Sequence, residues 1–125
     1  MANLSLDKIE MKEGLLNGKS LSTLTSLTEL YSGNLGVNAN ANLSLPYTDF
    51  KFIIFEFLSS AGNYVQEIIS TEILSVWQAN SYSFIINGTF NTSAVRYYLL
   101  RIDSSTSVHC IDRSSTQNLR IYGLN

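Results

Sequence analysis

"FKFIIFEFL", residues 50–58, decides how this chain folds. Aromatic and β-branched residues dominate it, and both suit a pleated strand. Pro46 stops the chain shortly before it, and Ser59-Ser60-Ala61-Gly62-Asn63 makes a turn after it. In an extended chain, alternate residues face opposite sides. Phe50, Phe52, Ile54 and Leu58 then share one face, and Ile53, Phe55 and Phe57 share the other. Apart from Lys51 and Glu56, both faces are apolar, whereas an antiparallel strand normally keeps one polar face for water. "AVRYYLLRI" (94–102) behaves the same way, with Val95, Tyr97 and Leu99 opposite Tyr98, Leu100 and Ile102. A second copy of the chain would cover such a face. The competing reading is a central strand covered by the chain's own loops and N-terminal arm.

The rest of the chain reads the same way outward from this strand. "NANANLSL" (38–45) alternates until Pro46, with Asn38, Asn40, Asn42 and Ser44 on one face and Ala39, Ala41, Leu43 and Leu45 on the other. "TELYS" ends at Gly33-Asn34, "YVQEIISTEIL" follows the 59–63 turn, and "SYSFIIN" closes at Gly88. "AVRYYLLRID", "VHCIDR" and "LRIYGL" are separated by Ser/Thr-rich turns. About eight short strands at this spacing predict an all-β protein, an antiparallel β-sandwich of jelly-roll-like kind over residues 28–125. Residues 1–27 form a separate arm that concentrates Lys and Glu, and Leu21, Leu24, Leu27 and Leu30 follow three apart through its end. That leucine row is read as extended or helical, and in either form it needs a cover. Leu21, Leu24, Leu27, Phe55 and Phe57 are the expected oligomer contacts.

Composition narrows the function classes. The chain has 125 residues, 14% of them charged, a net charge of −2 and 45% hydrophobic residues. That is too apolar for a disordered chain, and it lacks the basic surface that nucleic acid needs. No apolar run reaches the ~20 residues of a membrane span. The N-terminus carries Asp7, Lys8 and Glu10 where a signal peptide needs an apolar core, so synthesis in the cytoplasm without export is expected.

Chemistry is sparse. His109 and Cys110 are the only histidine and cysteine, and as strand neighbours they point to opposite faces. They supply neither a catalytic pair nor a metal set, so no metal or cofactor is expected. Asp103 and Asp112 flank a hairpin and would approach within several ångströms, but each adjoins an arginine, which favours cross-strand ion pairs over a hydrolytic pair. A non-enzymatic protein is expected. For binding, "SVWQANSYS" (75–83) places Trp77, Gln78, Asn80 and Tyr82 near a loop, as a patch for sugar or protein. Trp77 also reads as a core anchor. Asn38, Asn40 and Asn42 form a second candidate row.

The order of "ELYSGN", "NLSLP", "YTDFKFIIFEFLSSAGN", a Trp-containing segment and a terminal "LRIYGLN" resembles modules of bacteriophage tail and head-fibre proteins. The resemblance covers about residues 28–125 and rests on strand and turn pattern, with no catalytic signature. It implies a virion structural or receptor-binding module, a homotrimer, with an N-terminal part joining other virion proteins and a C-terminal domain facing a host-surface glycan or protein. The chain departs from long fibres in having no repeat or coiled-coil shaft, which implies a short fibre, spike or decoration protein. A stand-alone lectin-like domain is the alternative.

Overall fold

A computed structural model describes residues 27–58, 64–91, 94–114 and 118–125. Eight strands occur there: β1 (Leu27–Gly33), β2 (Asn40–Asn42), β3 (Phe52–Leu58), β4 (Tyr64–Ser70), β5 (Ser83–Asn91), β6 (Ala94–Ser104), β7 (Ser107–Arg113) and β8 (Leu119–Leu124). One helix, α1 (Thr71–Ala79), joins β4 to β5, and a 3-10 turn spans Tyr47–Asp49. All strand pairs are antiparallel, in two four-stranded sheets ordered β1-β8-β3-β4 and β2-β7-β6-β5. The chain is an all-β antiparallel sandwich. Its ends nest, with β8 beside β1 and β7 beside β2, while β3–β4 and β5–β6 pair as sequence neighbours within one sheet.

The core lies between the sheets. Ile53, Phe55 and Phe57 of β3 meet Phe84, Tyr98 and Leu100 from the other sheet. Phe55 sits edge-on to Phe84 with centroids 5.5 Å apart, and Phe57 edge-on to Tyr98 at 5.6 Å. This is the geometry that ring quadrupoles favour. Phe55 and Phe57 are 0% and 1% exposed in the single chain. Their expected role as oligomer contacts is therefore corrected: they are the inner face of β3. The outer face is the other alternating set, Phe52, Ile54, Glu56 and Leu58. Phe50 precedes the strand, and its ring belongs to the core.

Three further expectations change. "NANANLSL" keeps strand form only over Asn40–Asn42. Asn38 turns with φ 66°, and after Asn42 the backbone crosses between sheets, Leu43 N–H donating to Thr106 O and Ser44 N–H to Leu30 O. That crossing laces the β1 edge to the β2 side. "YVQEIISTEIL" divides at Ser70, whose hydroxyl accepts from Ile73 N–H and starts α1. The helix inserts Leu74 into the core, and half-buried Trp77 packs on Phe84 at 5.1 Å. Leu27 opens β1 opposite Leu124 and packs beside Ile54 and Tyr122 on the outer face, whereas Leu21 and Leu24 lie outside the described residues.

The two outer faces differ in chemistry. On the β2-β7-β6-β5 sheet the outward positions include Asn40, Asn42, Ser83, Asn87, Arg101, Asp103, Ser107 and His109. On the other sheet, Phe52, Leu58 and Ile68 are 40%, 44% and 42% exposed around a buried floor of Ile54 and Tyr122. Glu56 stands on this apolar face, yet it is 0% exposed. Its carboxylate accepts from Gln66 Nε2 at 3.0 Å and faces Arg120 at 3.6 Å.

Candidate functional site

Three strands bring one polar network together on the outer face of the β2-β7-β6-β5 sheet. Register places His109 of β7 between Asn40 of β2 and Arg101 of β6. Between the pairs Ile102↔Val108 and Ser104↔Ser107, Asp103 is an extra residue, a β-bulge. Bulges re-aim side chains. Asp103 reaches past Ser107 on β7 to accept from Asn40 Nδ2 at 3.1 Å. The same amide donates to Ser107 Oγ at 2.6 Å, and Asn40 Oδ1 lies 2.8 Å from His109 Nδ1. An amide oxygen only accepts, so His109 carries its proton on Nδ1. Arg101 Nε donates to Asp103 Oδ1 at 2.8 Å. The Arg101 guanidinium holds the Asp103 carboxyl below its ordinary range, with Asn40 and His109 lowering it further against some desolvation.

The expected residues separate. Trp77, Gln78 and Asn80 lie in α1 or at its end and do not form a loop patch. Gln78 Oε1 accepts from Tyr47 O–H at 2.5 Å, and Asn80 Nδ2 donates to Val76 O at 2.8 Å. Tyr82 is exposed after the helix. Asn38 sits in the turn before β2, where its N–H donates to Cys110 O, and Asn42 is exposed opposite Ser107. Of the expected set, Asn40 is the one that ties other side chains together.

The two aspartates also separate. Asp112 pairs in register with Leu99, four residues along β6 from Asp103, which is roughly 13 Å at strand rise. A hydrolytic pair needs ~5–9.5 Å, so the expected close approach is corrected. Their ion pairing differs as well. Arg101 bonds Asp103 along the same strand, and Asp112 accepts from Tyr97 O–H at 3.0 Å. That bond, with lesser desolvation and charge effects, raises Tyr97 above its ordinary range. Arg113 donates to Asn34. Cys110 faces the core, where burial first of all pushes its thiol up, and His109 faces outward. Among the described residues no group of three or more His, Cys, Asp or Glu side chains is placed to hold a metal, and no helix is long and apolar enough to cross a membrane.

Ser107, His109 and Arg101 were not among the expected binding residues. The two-residue turn at 105–106 does place them near Asp103 in sequence, but the Asn40 link depends on a pairing of strands 67 residues apart. The fold and this network define an antiparallel sandwich with a cross-linked polar network on one outer face, while the other mixes exposed Phe52, Leu58 and Ile68 with Glu29, Gln66 and Arg120. No protein-family model matches the chain, and no curated protein matches it.

Proposed function

We propose that this chain is a non-enzymatic structural protein of a bacteriophage particle, a short fibre, spike or decoration module that acts as a homotrimer. The observation that carries this reading is the asymmetry of the outer faces. A sandwich that stands alone keeps both outer faces wet. Here Phe52, Leu58 and Ile68 stand exposed beside the buried Ile54–Tyr122 floor, which suits packing against neighbouring copies, while the polar sheet faces outward. The likeness of residues 28–125 to phage fibre modules supports the same reading. Its partners are other copies, other virion proteins and a host surface, and its place is the virion.

Light scattering behind size-exclusion chromatography of the full chain tests the oligomer, with three chain masses expected. Mass spectrometry of purified particles from the phage that carries the gene tests the location, with peptides of this chain expected among the virion proteins. A monomer at micromolar concentration together with absence from the particle overturns the proposal. The Asn40 network favours a second reading, a lectin-like domain outside any virion, which predicts that monomer together with glycan binding.

A further inference from the structure

We propose that the outer face of the β2-β7-β6-β5 sheet, centred on Asn40, Asp103, Ser107 and His109, is a binding platform for an extended, uncharged polyhydroxyl chain, a glycan. The inference takes its biological setting, contact with a host surface, from the reading above; its chemistry stands on the network itself.

The network presents both kinds of hydrogen-bonding group outward. Asn40 spends its amide inside the network, donating twice and accepting once. That fixes what its neighbours offer. With Nδ1–H given to Asn40, Nε2 of His109 is the ring atom left to a ligand, and in the uncharged imidazole it is an acceptor. Ser107 Oγ accepts from Asn40, so its own O–H remains a donor. Asp103 uses one lone pair on each oxygen and keeps acceptor capacity. Arg101 gives Nε to Asp103, which leaves its terminal N–H groups as donors. Two acceptors and two donors on one patch match hydroxyl groups, each of which both donates and accepts.

Charge and shape narrow the class further. Arg101 and Asp103 neutralise each other in their ion pair, so the polar end of the patch carries no net charge, and the acid at its far end, Asp112, is bonded to the Tyr97 hydroxyl. Next to Arg101 along β6, Leu99 pairs with Ile85, which is exposed, and Tyr97 follows on the same face. From Tyr97 to Asp103 the strip runs roughly 20 Å at strand rise. An apolar stretch beside paired donors and acceptors suits the alternating C–H faces and hydroxyl edges of several linked sugars. The tethers between β2, β6 and β7 hold the polar groups in place before a ligand arrives, and such preorganisation lowers the entropic cost of binding.

The test uses the full chain on a printed array of bacterial surface polysaccharides, with affinities of positive spots then measured by calorimetry. Reproducible binding is expected, at least tenfold weaker in Asn40→Ala and in His109→Ala. It should be unchanged in Ile73→Ser, on the exposed side of α1. Unaltered melting of Asn40→Ala shows that the loss is local, and Ser107→Ala, which removes one outward donor, gives an independent second variant. Silence across the array overturns the inference, as does binding indifferent to both Asn40→Ala and His109→Ala. Capture by host-cell envelopes that survives periodate cleavage of their vicinal diols means a protein ligand, and also overturns it. If the chain is trimeric and in the virion while the array is silent, only this inference fails. If glycans bind through Asn40 but the chain is monomeric and absent from particles, the site stands and the virion reading fails.

Discussion

Asn40 shows how much one short side chain settles when three strands converge on it. Its amide bridges Asp103, Ser107 and His109, and through Asp103 it reaches Arg101. The Asp103 carboxyl, lowered chiefly by Arg101, is more acidic in the folded chain than in the unfolded one. Its contribution to stability is therefore present above the ordinary carboxylate pKa of ~3.9 and is lost as pH falls through the lower folded value. A carboxyl-detected NMR titration should put the Asp103 midpoint below that of a free peptide, and Arg101→Ala should raise it. Glu56 differs in its surroundings, a fully buried side chain held by Gln66 and faced by Arg120. Arg120→Ala removes the guanidinium from a carboxylate with no access to water, so urea unfolding should show a loss of about 2 kcal/mol. Arg120→Met combined with Glu56→Leu should recover most of it, because an apolar pair has no desolvation penalty to offset. At Gly123 an added Cβ would collide with the Phe50 ring. Gly123→Ala must push that ring from the core, and about 2 kcal/mol of destabilisation is expected from overpacking.

At the scale of elements, the strands were legible and the helix was not. β1, β6, β7 and β8 fall close to where turn residues and alternation put them, because each has Gly, Ser or Asn at its ends. The segment 64–79 is different. Ile68-Ile69 and Ile73-Leu74 flank Ser70-Thr71-Glu72. These three polar residues suit a turn, an exposed stretch of strand or the first turn of a helix equally well, so local pattern does not name the change of structure. What makes the change is Ser70 as N-cap, and Glu72 falls one residue short of the position that completes a capping box. Ser70→Ala should cost about 1 kcal/mol of global stability, measured by denaturant midpoint, if the cap sets this boundary. The face of β3 that turns inward was also illegible. Lys51 falls on one alternating set and Glu56 on the other, so charge does not choose between them. Phe84 and Tyr98 choose, and their places across the sandwich follow from long-range pairing that no window of sequence contains. For the same reason Asn40 stood out as part of an asparagine row, while its link to His109, 69 residues away, did not.

For the whole molecule, one outer face carries the cross-linked polar network and the other exposes Phe52, Leu58 and Ile68, the surface that the proposed trimer would cover. The extent of this face bounds the interface that the proposed trimer can form through it. Four strands ~4.8 Å apart and seven residues long cover roughly 400 Å². That is half of the ~800 Å² per partner in a standard interface. A trimer held by this face alone should therefore dissociate on dilution, and light scattering across a concentration series should show the mass falling from three chains toward one. Where a charge is placed separates the assembly face from the core. Phe52→Asp with Ile68→Asp adds charges to side chains already 40% and 42% exposed, so the fold should persist and near-UV circular dichroism should be kept, while the trimer is lost at every concentration. Phe55→Asp buries an unpaired carboxylate between the sheets, where the aromatic contact with Phe84 now sits. It should unfold the domain outright. If the outer double variant still elutes as three chains, the trimer contact lies elsewhere, and the exposed Phe52–Ile68 surface must then serve a different partner.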